Sequence, residues 1–191
     1  MGHDALVTLI IIAAIMFFPF LYFIGTYNRL VRLRASVKES WADVTTELKR
    51  RHDLIPNLVS TVKGYATHER EIMEEVTKAR EAALTLSQSP AAQAQSENLL
   101  SQALKSLIGI AENYPDLKAS QNFLGLQREL ANTEDRIQAS RRFYNANVRD
   151  INVTVQSFPS NLVAGMCGFR QEEFFQVDDA AVAEPVTVSF N

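Results

Sequence analysis

The chain has 191 residues, of which 47% are hydrophobic and 21% are charged, and its 19 basic and 22 acidic side chains give a formal net charge of −3. Because the two signs of charge are interspersed, the sequence lacks the basic footprint that nucleic-acid binding requires, and this argues against nucleic acid as a partner. The single cysteine, Cys167, excludes an internal disulfide, and its apolar surroundings favour a small buried side chain.

Near the N-terminus, an uncharged and almost wholly apolar run extends from Ala5 to Ile24. In a helix these roughly 20 residues cover about 30 Å, the thickness of the hydrocarbon core of a bilayer. Pro19 lies near the end of the run, where a membrane helix tolerates the loss of one hydrogen bond. A cleaved signal peptide fits poorly, because no basic region precedes the run and no small-x-small site follows it. The sequence therefore predicts a single transmembrane helix over residues 5–26, preceded by a short N-terminus of residues 1–4 outside the cytoplasm.

Basic side chains flank this run on one side only. His3 and Asp4 are the only polar residues before it. Since Lys and Arg near the ends of a span are retained in the cytoplasm, we expect the N-terminus outside and the remainder of the chain inside. The residues that predict this orientation are Arg29, Arg32, Arg34 and Lys38.

The roughly 165 residues after the span are enough for one domain and too few for two. They are rich in good helix formers, and turn residues are sparse before Phe158. We therefore expect an all-α fold, in which the membrane helix leads into a long antiparallel four-helix bundle over residues 27–157. The predicted helices are 27–51, 54–87, 90–112 and 115–157, and Ser89 is placed to cap the third of them.

Each predicted helix carries apolar residues at steps of three and four, the spacing of a coiled-coil-like seam. In the last helix, small and amide residues interrupt the apolar ones, and we expect them to be hydrogen-bonded across the bundle and to fix its register. The seam positions are Leu30, Leu33, Val37, Trp41, Val44 and Leu48; then Leu58, Val62, Tyr65, Ile72, Val76, Ala79, Ala83 and Leu86; then Leu99, Leu100, Ala103, Leu104, Leu107, Ile110 and Ala111; and finally Phe123, Leu126, Leu130, Thr133, Ile137, Ser140, Tyr144, Asn147, Ile151 and Val155.

The segment from Arg50 to Pro56 allows two interpretations. Its basic residues favour the end of one helix, while Asp53 could cap a second helix with Pro56 in its first turn. The alternative is one long helix kinked at Pro56, because no Gly or Asn supplies a left-handed residue. The turn is favoured, and it would return the C-terminal tail to the membrane surface. A kinked rod would leave that tail at the far tip of the bundle.

Residues 158–191 form a tail of different character. The period of two over Pro185–Phe190 predicts a short strand, which needs a partner in the tail or in another subunit. The apolar residues before it are candidates for contact with the membrane or with a second subunit. These are Leu162, Val163, Met166, Phe169, Phe174 and Phe175.

Motifs that carry chemistry are absent from the sequence. It contains no phosphate-binding glycine loop, no Gly-x-Ser-x-Gly, no His-Glu-x-x-His, no cysteine pair and no Glu-x-x-His repeat of di-iron bundles. The one candidate for a metal site is His68 and Glu69, with Glu75 as a third ligand, and a structural role near a bundle end is the favoured interpretation. We therefore predict no catalytic, cofactor-binding or metal-binding residues, and a protein that is not an enzyme.

Four blocks of the sequence are distinctive: 27–41 (YNRLVRLRASVKESW), 47–69 (ELKRRHDLIPNLVSTVKGYATHE), 115–137 (PDLKASQNFLGLQRELANTEDRI) and 141–169 (RRFYNANVRDINVTVQSFPSNLVAGMCGF). Together they resemble the LemA family of bacterial membrane-anchored proteins. The resemblance implies an N-terminal helix in the inner membrane, with the N-terminus outside, joined to a cytoplasmic antiparallel helical bundle. The resemblance also implies kinship with a protein of magnetosome membranes. It identifies no catalytic residue in this chain.

Two functional hypotheses follow from these features. The first is a scaffold that assembles with copies of itself on the inner membrane and organises or remodels it, so that the partners are the lipid bilayer and further copies of the chain. The rival is a signalling or adaptor protein that presents its bundle to a membrane protein, such as a protease or kinase. Proximity labelling would distinguish between them.

Overall fold

The computed structural model describes residues 2–85 and 89–176, and it has no strand among them. In this part of the chain the helices are α1 (Gly2–Lys63), α2 (Arg70–Leu84), α3 (Pro90–Gly109), α4 (Pro115–Ala119), α5 (Gln121–Gln156) and α6 (Ser160–Met166), with a 3-10 turn at Ile110–Asn113 after α3. The all-α prediction is therefore confirmed for these residues. The predicted strand at Pro185–Phe190 and the seam residue Leu86 lie outside them.

The chain forms two compact units. The anchor unit comprises residues 2–45 with Ser140–Glu172, and the core unit comprises Thr46–Ala139 with residues 173–176. The helices α1 and α5 each contribute to both units.

The apolar run near the N-terminus is the first part of α1. Its most apolar stretch of 18 residues has a mean hydropathy of 2.6, and the rest of the described chain leaves this stretch uncovered. Leu9 is 68% exposed and Phe18 is 69% exposed. A helix in the core of a soluble protein would bury such side chains, so α1 has the length and the exposed apolar surface that a membrane span requires.

The core unit is built around one hydrophobic core to which α1, α2, α3 and α5 contribute. Leu58, Val76, Leu100 and Leu107 are completely buried in it. Burial of each such side chain stabilises the fold by about 1.5–3 kcal/mol. The predicted seam of the third helix is confirmed except at Leu99, which is 61% exposed. Its predicted cap is also confirmed, because Ser89 Oγ accepts a hydrogen bond from the Ala92 backbone N–H at 3.3 Å.

The predicted turn between Arg50 and Pro56 is not present. Instead, α1 continues to Lys63 and the chain turns between Gly64 and Glu69, inside the predicted helix 54–87. The break shifts the helical phase, so that Ala66 is buried while the seam residue Tyr65 is 45% exposed. In the last predicted helix, Ser120 has an extended backbone, which separates the short α4 from α5.

Pro56 lies inside α1, where it lacks the N–H that would bond the carbonyl of His52. A buried carbonyl without a donor would cost about 1–3 kcal/mol. Arg80 on α2 supplies the missing donor, because its Nε–H bonds the His52 carbonyl oxygen at 2.9 Å. This contact explains why the helix continues through a proline.

In the anchor unit, α1 packs beside α5. The rings of Trp41 and Tyr144 lie 5.1 Å apart, and Asn147 Nδ2 donates a hydrogen bond to the Ser36 carbonyl oxygen at 3.4 Å. The predicted role of Asn147, a hydrogen bond between helices, is confirmed by this contact. Leu30 and Ile151, both predicted seam residues, are completely buried.

Hydrogen bonds order residues 160–172 of the tail at two positions. Gly168 has φ 72°, and the Phe169 N–H donates to the Ala164 carbonyl at 2.9 Å, so α6 ends in a Schellman motif that requires a left-handed residue. Asn152 on α5 then bonds both backbone groups of Glu172, at 2.9 Å and 2.8 Å. The two Asn152 bonds hold the end of this segment against α5.

We predict that the Arg80→Met variant is less stable than the native chain by about 1–3 kcal/mol, because the His52 carbonyl loses its donor. In a Pro56→Ala background the restored N–H of residue 56 replaces this donor, so the same change should cost less by about 1 kcal/mol. Urea unfolding of the four chains of this cycle in detergent, followed by circular dichroism, measures the difference. Equal costs in both backgrounds would show that Arg80 does not replace the bond lost at Pro56.

Candidate functional site

The basic residues that predict orientation all lie on the surface. Arg29, Arg32, Arg34 and Lys38 are exposed on α1, directly after the apolar run. They are therefore available to anionic lipid headgroups, while the direction in which α1 crosses a membrane stays a prediction.

The candidate contact residues of the tail separate into two groups. Val163 is 5% exposed and Phe175 is 2% exposed, so these two side chains are packed within the chain itself. Phe169 is half-buried, and its ring lies 6.0 Å from that of Tyr27. The remaining three are exposed, by 58% at Leu162, 78% at Met166 and 39% at Phe174.

The tail lies beside the end of the apolar run, although the turn proposed at Arg50–Pro56 is absent. Val163 and Ala164 form a small core with Leu30, and Phe23 and the half-buried Cys167 pack against it. The chain reverses direction at Gly64–Glu69 and not at Arg50–Pro56. The number of reversals before the tail is therefore the same as in the predicted bundle.

The candidate metal ligands do not converge. His68 and Glu75 are exposed, whereas the Glu69 carboxylate accepts a hydrogen bond from the Tyr114 hydroxyl at 3.4 Å. Burial and the nearby Glu69 carboxylate raise the pKa of Tyr114. Within residues 2–85 and 89–176, no group of three or more His, Cys, Asp or Glu side chains is placed to hold a metal ion.

Four buried polar residues, Arg51, His52, Gln93 and Glu97, come together with the half-buried Ser101 and Glu134, and these six residues are called the Arg51 cluster. Both terminal nitrogens of Arg51 are engaged: one bonds the Glu97 carboxylate, and the other bonds Glu134 Oε2 at 2.8 Å and Ser101 Oγ at 2.9 Å. His52 Nε2 lies 3.0 Å from Glu97 Oε1. The cluster therefore connects α1 with α3 and α5.

Gln93 extends the cluster to α2. Its side-chain amide donates to Glu97 Oε1 at 2.8 Å and to the Ala83 carbonyl oxygen at 2.9 Å. With Arg80 bonded to His52, every long helix of the core unit takes part in this network. Sequence reasoning assigned Arg51 and His52 to a helix end and overlooked Glu97. The positions of these residues could have indicated burial. Glu97 stands three residues before Leu100 and His52 three residues before Ile55, a spacing that places each polar residue on the apolar face of its helix.

Glu97 is held in its ionised form. Burial by itself would raise the pKa of this carboxyl, but the hydrogen bond with His52 and the charge of Arg51 together lower it below the ordinary value of 4.5. Arg51 is in turn neutralised by two carboxylates, one of them the partly exposed Glu134. The charges of these groups compensate one another, although the Arg51 Nε–H is buried without a hydrogen-bond partner among the described residues. This charge pairing favours a structural role over acid–base chemistry.

A cavity of about 410 Å³ opens beside the cluster, between α1, α3 and α5. Its wall combines polar and apolar side chains: Arg51, Ser101, Leu104, Lys105, Ile108, Gln127, Leu130, Ala131 and Glu134. The charges on this wall are already compensated where Arg51 meets Glu134. The other charged residue of this wall is Lys105, which is exposed to solvent.

We predict that Glu97→Gln destabilises the protein by about 3–5 kcal/mol at neutral pH, because it leaves Arg51 buried with less than its full counter-charge. The native contribution of Glu97 is complete above pH 4.5, its ordinary pKa, and is lost as pH falls through the lower folded-state pKa. The free energy of unfolding of the variant should therefore vary less with pH below 4.5 than that of the native chain. Denaturant unfolding at a series of pH values tests this.

Glu74→Gln is the matched control, since Glu74 also pairs with an arginine, Arg70, but on an exposed helix face. Water screens that pair, so we expect the unfolding free energy to change little. A native-like stability of Glu97→Gln would contradict a structural role of the cluster.

Similarity to known proteins covers most of the chain. The sequence profile of the LemA family matches residues 40–190. Protein LemA of Metamycoplasma hominis is 26% identical over 90% of this chain and 78% of its own length. Magnetosome protein MamQ 2 of Paramagnetospirillum magneticum is 23% identical over 84% of this chain and 68% of its own length, and magnetosome protein MamQ of Magnetospirillum gryphiswaldense is 22% identical over the same shares.

Proposed function

This chain belongs to the LemA family, and we propose that it is a membrane-anchored scaffold without enzymatic activity, which assembles with copies of itself to organise or remodel the inner membrane. One observation carries the proposal: the exposed apolar run and the helical segment that enters both folded units belong to a single unbroken helix, α1. A helix of this kind couples the folded part of the chain directly to the membrane.

The absence of an assembled reaction site among the described residues supports a scaffold over an enzyme. The buried titratable groups of the Arg51 cluster are paired with one another, and the two charged cluster residues that line the cavity, Arg51 and Glu134, pair with each other. The relatives carry the names LemA and magnetosome protein MamQ, which name no reaction. The magnetosome relatives favour a role in organising a cellular structure.

We further infer that the core unit is an antiparallel four-helix bundle. The contact between Arg80 and His52 supports this arrangement for α1 and α2, because it joins residues that lie on opposite sides of the turn at Gly64–Glu69. Short connections between long helices favour antiparallel neighbours in the same way.

Self-assembly is the testable part of this function. The full chain, extracted in mild detergent or held in lipid nanodiscs, is expected to form complexes of several copies, which native mass spectrometry or particle imaging can count. Monomers alone at all concentrations would contradict a scaffold. In cells, proximity labelling should mark mainly other copies of the chain, whereas one dominant foreign protein would support the adaptor alternative.

We also propose that α1 crosses the inner membrane with its N-terminus outside, because the four exposed basic residues follow the span. Changing Arg29, Arg32, Arg34 and Lys38 together to Gln should allow a fraction of the chains to insert in the opposite direction. A C-terminal tag would then become sensitive to protease added to intact spheroplasts, whereas in the native chain it is protected.

The matched control removes the same number of charges far from the span, by changing the exposed Lys49, Lys63, Lys78 and Lys118 to Gln. Charges more than about 20 residues from a span have little effect on its orientation, so the tag should remain protected. A tag that is digested in the native chain would show that the proposed orientation is wrong.

A further inference from the structure

The short helix α6 is apolar on two faces, and only one of them is covered by the described residues. Val163 and Ala164 pack against Leu30 of α1. The other face carries Leu162 and Met166, and Phe158 lies just before the helix; these three residues, here called the α6 stripe, are 58%, 78% and 80% exposed, respectively. Neighbours in this stripe are four residues apart, so Leu162 and Met166 lie on the same side of the helix. No residue of α6 is charged.

With α1 crossing the membrane as proposed above, on which this inference rests, α6 lies at the level where the span ends. Its neighbours on α1 are Phe23 and Leu30, and the Phe169 ring after α6 contacts Tyr27. The apolar run ends at Ile24, and Leu30 stands about 9 Å further along the helix axis. The headgroup layer extends roughly 5–7 Å beyond the hydrocarbon core on each side of a bilayer. The contacts of α6 therefore fall within or directly beside that layer.

We propose that the α6 stripe is a second lipid-binding surface, which inserts into the headgroup boundary of the leaflet where the span ends. The occupant is the bilayer itself, because the stripe continues the surface by which α1 meets lipid and removes exposed apolar side chains from water. The exposed Arg29 and Arg32 on the adjoining turn of α1 supply charges that attract anionic headgroups.

The polar contacts around α6 hold the stripe in place before it meets lipid. The Schellman motif at Gly168 and the bonds between Asn152 and Glu172 fix both the end of α6 and the segment that follows it. A surface that is already ordered loses little conformational entropy on binding, which favours insertion by only three side chains.

Site-specific labelling of the full chain tests this proposal. The native thiol is first removed by Cys167→Ala, and a polarity-sensitive fluorophore is then attached at Leu162→Cys or Met166→Cys. The matched control is Phe143→Cys. Phe143 has the same exposed fraction as Leu162, 58%, but it lies on α5 at a position distant from the span. Its neighbour Tyr144 contacts Trp41, which lies roughly 25 Å beyond Ile24 along α1.

The labelled chains are reconstituted in vesicles of phosphatidylethanolamine and phosphatidylglycerol that contain a lipid with a nitroxide near its headgroup. We expect blue-shifted emission and loss of fluorescence at positions 162 and 166, and neither change at 143. Equal behaviour at the three positions would overturn the proposal. Protection of 162 and 166 from both the lipid quencher and a water-soluble quencher would also overturn it, because a protein surface would then cover the stripe.

A measurement on the unmodified chain guards against damage by the substitutions. Lipids with a photoreactive headgroup should cross-link to the segment from Phe158 to Met166 as well as to the span, and mass spectrometry of the peptides locates the products. Cross-links confined to the span would refute the second contact.

Discussion

The buried guanidinium of Arg51 is the constraint on which the core unit depends. An unpaired buried charge costs several kcal/mol, so the neighbouring helices have to bring acceptors to the level of this one residue. Glu97 on α3 and Glu134 on α5 do so, and Gln93 extends the network to α2. Apolar seams alone could slide by one heptad with similar burial, whereas a displaced Arg51 would lose its partners. The cluster therefore selects one register from several that the apolar residues would allow.

The same region reconciles a proline with an unbroken helix. Pro56 removes one backbone bond from α1, and the freed carbonyl of His52 becomes an acceptor that α2 can reach through Arg80. The hydrogen bond that is missing within α1 is thus replaced by a hydrogen bond between α1 and α2. The side chain of His52 meets Glu97 while its carbonyl meets Arg80, so the backbone and the side chain of one residue serve two different helices. This coupling keeps α1 continuous at the place where the sequence favours an end.

The seams, the cap at Ser89 and the exposed apolar run were predictable because each depends on local periodicity or on local hydrogen bonding. The break at Gly64–Glu69 was not, since Val62, Tyr65 and Ile72 stay in phase across it and no proline marks it. The Arg51 cluster escaped prediction for a different reason. Its members are distant in sequence, and a charged residue on a helix is usually exposed to solvent. The cluster differs from exposed charged residues only in that its charged side chains lie on the seams of different helices and pair with one another. That pairing can be recognised only when the packing of the helices is known.

A single transmembrane helix leaves a protein free to rotate about the membrane normal and to tilt. Residues 160–172 are fixed to the side of α1 by the Leu30 core and by Asn152, so they lie off the axis of that helix. Contact between lipid and an off-axis surface restricts tilt, because each change of angle moves apolar side chains out of the headgroup layer. Copies that are already held at one angle lose less orientational freedom on association than copies that tilt freely. Association in the plane of the membrane is therefore more favourable. A second lipid contact and lateral self-assembly would therefore reinforce each other, although each depends on different residues.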